Sequence, residues 1–377
     1  MTLFDRYVVG LFLKIMMVCY ASLAGLYLII DIFNNLDEFI ALGEHQGSLA
    51  QVLAIYYGPR LIGLFCEVSG LLYLLAAICT LTRLYGTHEL AAIQAAGVSI
   101  RRVARPLVVL TAILCLFSLV SREFILPRFR QTLSANAQEL LNQEPKPVIS
   151  QIDYDSLVMI RGQSLNPMAK AIDAPDVLIP YDWGISDPQI RATRAVWLQA
   201  DQQHGAGFLL EDFQAAGEIQ QASVVRSGQT RLYSPVDTPW LAANQCFVPT
   251  GIPFEQFSHG VDWFRNAPLS DLVAANHSGS IRLPGVHRIE MHWRLIRPLM
   301  DFSVLLLGLP LVLRRDGQKL VVAAAYCAFL MLGVQLLVMG CHFLGAQRIL
   351  TPMAFAAWLP VLLMFPLAVW AYQRFDH

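Results

Sequence analysis

Apolar residues dominate six long runs of this chain, roughly 7–30, 53–82, 106–126, 292–313, 320–344 and 353–373, and polar residues collect between them. A helix needs about 20 consecutive apolar residues to cross a bilayer, and each run meets that length. The first is too long for a cleavable signal peptide, and no small-residue cleavage site follows it. Pro59 lies near the start of the second run, so the turns before it are expected to form a separate interfacial piece. The intervening segment, 127–288, has a different pattern. Short runs such as "VISQIDYDSLVMIRG", "QIRATRAVWLQAD", "GFLLEDFQAAGEIQ" and "ASVVRSGQTRLYS" stand between Gly, Pro, Asn and Asp punctuation, which predicts β-strands. Their regular spacing fits a sandwich, a jelly roll or an open barrel, with a short helix over 267–276.

Charge gives the runs a direction. With the N-terminus inside, Arg6, Arg83, Arg101, Arg102, Arg105, Arg314, Arg315, Lys319 and Arg374 fall on the inner side, and the short outer loops carry only Arg348. The positive-inside rule then places both termini in the cytoplasm and 127–288 outside. Composition agrees with a membrane protein: 55% of residues are hydrophobic and only 15% charged, with a mean hydropathy of +0.49. Soluble chains carry about 25% charged residues. A net charge of −1 offers nothing to a nucleic acid. Of seven cysteines only Cys246 lies in a polar stretch, so there is neither a disulfide framework nor a CxxC metal pattern.

The motifs of covalent chemistry are missing. No GxxxxGK[ST] occurs, "HELAA" (88–92) has Ala92 where a zinc-protease helix needs its second His, and there is no GxSxG. The nine histidines are scattered, and only Glu67, Asp301 and His342 could serve an intramembrane protease. No catalysis and no metal are expected. The ionisable residues inside the runs carry more information: Lys14, Arg60, Glu67, Arg297 and Asp301. A charge at mid-bilayer costs about 2.5–3.5 kcal/mol on insertion scales, so such residues face a bundle interior or a watery cavity. Arg60 and Glu67 share one helical face, and Arg297 and Asp301 form an i,i+4 pair. Lys14 and Arg297 also have the reach to snorkel to an interface. The sharper reading is a polar-lined cavity for an amphiphile with a charged head.

Between the second and third runs sits "RLYGTHELAAIQAAGVSIRRV", Arg83 to Val103. Thr87 is read as an N-cap, Glu89 as a first-turn acid suited to the helix dipole, and Gly97 as the C′ residue. The helix so predicted, 86–97, carries small Ala91, Ala92, Ala95 and Ala96 beside a seam of Leu90 and Ile93. It is either a docking lever for another protein or an amphipathic connector resting on lipid.

This stretch resembles the cytoplasmic coupling segment of the lipopolysaccharide export permeases, the LptF/LptG family, at Glu89, Leu90, Ala92, Ala95, Gly97 and Ser99. "LFDRYVVGLFLK" (3–14), "IRATRAVW" (190–197), "GFLLEDFQ" (207–214), "WRLIRPLMDFSVLLLGLPLVLRRDGQ" (293–318) and "LTPMAFAAWLPVLL" (350–363) are similar to further family segments, in order along the chain. The resemblance implies an α-helical membrane protein of the bacterial inner membrane with six transmembrane helices and an inserted, jellyroll-like periplasmic domain. Its parts would be 1–126, 127–288 and 289–377. It implies a transport subunit without a cofactor of its own, which pairs with a second permease subunit, a paralogue or another copy of itself. Two copies of a cytoplasmic ATP-binding subunit would grip the coupling helices, and lipopolysaccharide would pass to periplasmic jellyroll bridge proteins. One departure stands out. Where family members carry basic residues near the outer end of the first span, this chain has "IIDIFNNLDEF" with Asp31, Asp37 and Glu38. Permeation of another envelope lipid or lipoprotein, and a non-transporting envelope scaffold, are the alternatives.

Overall fold

The computed structural model describes residues 3–46, 48–134, 146–183, 188–201, 204–214, 222–226, 228–277, 279–281, 285–313, 320–347 and 353–374. The chain divides into two compact units, 1–133 with 284–377, and 134–283.

The first unit is a helical bundle. Its long helices are α1 (Leu3–Asn34), α3 (Leu49–Gly86), α5 (Ile100–Val120), α9 (Gly285–Leu313), α10 (Leu320–Ala346) and α11 (Met353–Gln373). Two short helices join them, α2 (Leu36–Gln46) and α4 (Glu89–Ala95), and a third, α6 (Arg130–Ser134), follows the end of α5. Among the described residues, five helices are long and apolar enough to span a membrane: α1, α3, α5 with its continuation to Phe129, α10 and α11. The helix α9 is not among them, and its described part carries Arg294, Arg297 and Asp301. It packs against α3, α5, α10 and α11, with α11 its most extensive neighbour. The loop Arg314, Arg315 and Lys319, and Arg348, lie outside the described residues.

Pro59 does not break the second long helix, as the sequence led one to expect; α3 runs through it without interruption. Losing one backbone donor is offset here by packing. Tyr56, Tyr57 and Pro59 are buried beside Phe39 of α2, with ring centroids 5.1 Å (Phe39–Tyr56), 5.7 Å (Phe39–Tyr57) and 4.9 Å (Tyr56–Tyr57) apart. The bundle core joins Val8, Phe12 and Met16 of α1 to Tyr73, Leu74, Ile78 and Leu81 of α3. It continues through Val103 and Leu107 of α5 to Met300, Leu305 and Leu309 of α9.

The contact between α3 and α9 depends on glycine. A Cβ at Gly308 would collide with Leu74, and one at Gly70 would come within 2.5 Å of the Asp301 carboxylate. Small residues let helix backbones approach closely, which is how membrane helices gain packing energy. Gly308→Ala is therefore expected to lower the melting temperature of the detergent-solubilised protein, through an overpacking cost of about 1–3 kcal/mol. An unchanged melting curve would mean that Leu74 yields freely.

The strands of the second unit all pair antiparallel. A six-stranded sheet has the order β1 (Lys146–Pro147), β4 (Ser164–Asn166), β5 (Ala171–Asp173), β8 (Arg194–Leu198), β9 (Gly207–Glu211), β12 (Gln245–Pro249). A four-stranded sheet has the order β2 (Gln151–Ile152), β3 (Met159–Arg161), β6 (Asp176–Leu178), β7 (Gln189–Arg191). A hairpin of β10 (Val224–Arg226) and β11 (Gln229–Leu232) completes it. Registers put Ala195 opposite Leu210, and Leu210 opposite Cys246, while Phe208 faces Val248. These side chains share one core with Ile160, Val177 and Ile190 of the four-stranded sheet. Along β9, buried Phe208 and Leu210 alternate with half-buried Leu209 and Glu211, the period-2 pattern of a strand with one face on the core, while in β8 Ala195 alone is buried. Cys246 lies inside this core, and burial pushes its thiol up, away from the reactive thiolate. Two short helices follow, α7 (Phe254–His259) and α8 (Leu269–His277), the second starting two residues after the expected 267 and ending one after the expected 276.

Candidate functional site

Two places in the helical bundle concentrate the residues singled out in the sequence. The first is a charge cluster where α3, α5 and α9 meet. Glu67 sits at the middle of α3. Arg297 of α9 donates to Glu67 Oε2 from Nη1 at 2.8 Å and to the Glu67 carbonyl from Nη2. Arg122 donates to Glu67 Oε1 at 3.2 Å. One carboxylate is thus shared between two guanidinium groups, a geometry in which each oxygen meets its own donor.

Nothing in the sequence pattern alone marks Arg122 as a partner of Glu67. The arginine lies in a π-helical turn, Ser121–Ile125, that continues α5 before a 3₁₀ turn at Leu126–Phe129. An extra residue in the turn rotates the residues beyond it, and π-turns are common where side chains are re-aimed for function. The signal available was a lone arginine at the end of an apolar run. Arg294, 2% exposed within α9, was missed for the same reason.

The expected i,i+4 pairing of Arg297 with Asp301 is not found. Arg297 turns to Glu67, and Asp301 instead accepts a hydrogen bond from the Ser69 hydroxyl. The reason is the close α3–α9 approach at Gly70, which brings Ser69 within reach of Asp301. The Ser69 hydroxyl has one proton to give, and Asp301 Oδ2 lies closer to it than the Cys66 carbonyl does at 3.2 Å, so the acid takes the bond.

Arg60 and Glu67 are not brought together either. The Arg60 guanidinium lies 3.4 Å from the centroid of the Tyr56 ring and donates to the Tyr56 carbonyl at 2.9 Å. Lys14 is exposed on α1. Within the acidic stretch, Asp31 accepts a hydrogen bond of 2.7 Å from Tyr57, which ties the end of α1 to α3.

The second place is the segment between α3 and α5. Thr87 is not the N-cap of a helix beginning at 86. Its hydroxyl donates to the Arg83 carbonyl at 3.0 Å, so it closes α3. The last carbonyls of a 38-residue helix are unsatisfied acceptors one turn away, and they win the threonine. His88 follows in the left-handed conformation with φ 58°, and α4 begins at Glu89.

The other end is as expected. Gly97 has φ 78°, its N–H donates to the Gln94 carbonyl at 2.9 Å, and the Val98 N–H reaches the Ile93 carbonyl at 3.2 Å. That bond pair is a Schellman motif with Gly97 at C′. Ser99 occupies the N-cap position of α5 in extended backbone, without a side-chain capping bond.

The faces of α4 are sharply different. Leu90 is fully buried in the bundle core, and Ile93 packs against it. Glu89 accepts a hydrogen bond of 3.2 Å from Tyr7 of α1. Ala91, Ala92, Gln94, Ala95 and Ala96 are exposed. The helix is bolted to α1 and α3 on one side and presents a shallow, small-residue surface on the other.

Residues 6–157 and 226–374 match the sequence model of the family described as "Lipopolysaccharide export system permease LptF/LptG". The chain belongs to that family. No curated protein sequence matches it at a significant level. The two matched stretches take in every long helix of this LptF/LptG-family chain, the charge cluster and the 87–99 segment. They omit 158–225, which holds β3 to β9 and most of β10. The family is one of transport subunits, so this is a multi-pass membrane permease of lipopolysaccharide export at family level. Among the described residues no group of three His, Cys, Asp or Glu side chains could hold a metal.

Proposed function

We propose that this chain is one permease subunit of an ATP-driven exporter in the bacterial inner membrane, which lifts lipopolysaccharide out of the bilayer toward a periplasmic jellyroll bridge. In this reading six helices span the membrane, with α9 the fourth, and both termini and the 83–105 segment are cytoplasmic. The β unit is periplasmic and jellyroll-like. Two copies of an ATP-hydrolysing subunit supply the motor, each gripping the exposed face of an α4. A second permease subunit, a paralogue or another copy of this chain, completes the cavity.

The observation that carries the reading is the two-sided character of α4. A connector resting on lipid would expose apolar groups to it, as interfacial helices do. Here the apolar Leu90 and Ile93 turn inward to the bundle, and the outward face is alanine and glutamine. A displacement of that face reaches α1 through Glu89–Tyr7 and the core through Leu90.

The charge cluster supports a paired arrangement. The Glu67 side chain is 52% exposed on this chain, against 18% for Arg297 and 14% for Arg122. A carboxylate exposed at mid-helix is too costly to leave against acyl chains, so its enclosure comes from outside this chain, as water in a cavity or a second subunit. On α10, Phe329, Leu332, Leu336, Met339 and Phe343 are exposed at alternating three- and four-residue spacing, a stripe suited to helix pairing. The acidic Asp37 and Glu38, with Asp31, favour a cargo with fewer phosphates at this end of α1, so another envelope lipid is the second reading.

Topology is tested by labelling with a membrane-impermeant maleimide in whole cells with a permeabilised outer membrane. A cysteine at Met168, which is 84% exposed in the β unit, should react, and a cysteine at Ala95 should react only after the inner membrane is opened. The reverse pattern would overturn the orientation.

A further inference from the structure

A cavity of about 870 Å³ opens beside the first turns of α5, between the start of α1 and the end of α11. Its mouth is lined by Arg101, Arg102 and Arg105, and its wall continues through Val109 and Ile113 and past Tyr372. Arg101 donates to the Gln373 carbonyl, which fixes the arginine edge against α11. Arg102 and Arg105 are exposed and three residues apart, so they lie side by side on one helical face. The carboxylate of Asp5 also lines the groove, and with three arginines the balance stays positive.

From Arg102 to Ile113 the groove descends about 16 Å along α5, at 1.5 Å per residue. A cationic mouth above an apolar wall of that depth matches one class of molecule, an amphiphile with an anionic head and an acyl tail. A soluble anion would use only the arginines and leave Val109 and Ile113 without a purpose. An acidic loop of a protein partner would do the same.

We propose that this groove seats an anionic phospholipid of the leaflet on the α4 side, with its phosphate between Arg102 and Arg105 and an acyl chain along Val109 and Ile113. The site is separate from the Glu67 cluster, because Arg102 and Arg122 lie about 30 Å apart along the helix. It stands whether or not the exported lipid is lipopolysaccharide. Its placement gives it a role: a lipid wedged between α1, α5 and α11 braces the start of α5, one turn after the segment that presents α4.

The experiment is native mass spectrometry of the full chain in detergent, with phosphatidylglycerol or phosphatidylethanolamine of the same acyl composition added. The wild type should retain phosphatidylglycerol in preference to phosphatidylethanolamine. The double variant R102Q/R105Q should lose retention by roughly thirtyfold, as two basic contacts to an anionic lipid head are removed. R102K/R105K should keep most of it, which separates loss of charge from loss of fold. Equal retention of the two lipids would overturn the proposal, as would a double Gln variant that retains phosphatidylglycerol like the wild type. Displacement of the lipid by millimolar inorganic phosphate would show that the apolar wall contributes nothing. If the Gln variant keeps the lipid but loses a co-purifying ATP-hydrolysing subunit, the arginines face a protein and the assignment fails.

Discussion

Replacing Ala92 by Trp is expected to abolish both recovery of an ATP-hydrolysing subunit with this chain and export of lipid, while expression and membrane insertion stay normal. Ala92 lies on the exposed face of α4, away from Leu90 and Ile93, so the bundle has no need to move for the new ring. A partner closing over that face does. Overpacking of a fitted interface costs about 1–3 kcal/mol, which weakens binding by roughly five- to a hundredfold. Glu89→Lys acts at the same helix by another route. It removes the acceptor of the Tyr7 hydroxyl and reverses a charge that suits the helix N-terminus, worth about 0.3–1 kcal/mol. A connector lying on lipid predicts the opposite for Ala92→Trp, since Trp favours the interface. Retained ATPase recovery and undiminished export in both variants would decide for the connector.

The two ends of α4 show what could and could not be read from the chain. Gly97 was legible because a left-handed C′ position is a local demand that almost only glycine meets, and the bonds from Gly97 and Val98 close the helix there. Thr87 was not legible. Its hydroxyl has two competing uses one residue apart, capping the helix ahead or satisfying the helix behind, and the choice rests on where α3 stops. Pro59 failed in the same way. Proline chemistry predicts a break, but the aromatic packing of Tyr56, Tyr57 and Phe39 around it is set by α2 folding back on α3.

The long helices themselves were readable because burying an uninterrupted apolar run in lipid leaves the chain few alternatives to helix. The strands of β8 and β9 were readable as short runs between Gly, Pro, Asn and Asp. Partners across helices were not. Arg297 and Asp301 sit one turn apart, so the sequence pairs them by proximity. The register of α3 on α9, set by Gly70 and Gly308 against Asp301 and Leu74, gives each a different partner. No pattern along a single helix carries that register.

Arg297→Ala should be the most damaging single change to the bundle, because it takes from the Glu67 carboxylate the nearer of the guanidinium groups that neutralise it at mid-helix. Glu67 is half-exposed and keeps Arg122, so the loss is that of one charged hydrogen-bond partner, on the order of 1.5–3 kcal/mol. Thermal unfolding in detergent should show a large drop in midpoint, and the steady-state level in the membrane should fall with it. The cure depends on which acid Arg297 serves. With Glu67 as the partner, Glu67→Gln in the Arg297→Ala background should recover much of the lost stability, since the excess charge is gone. Asp301→Asn in that background should recover less, because the hydrogen bond of Asp301 comes from Ser69 while those of Arg297 go to Glu67. Rescue by Asp301→Asn and none by Glu67→Gln would restore the i,i+4 pair within α9 and remove the α3–α9 charge bond from the account.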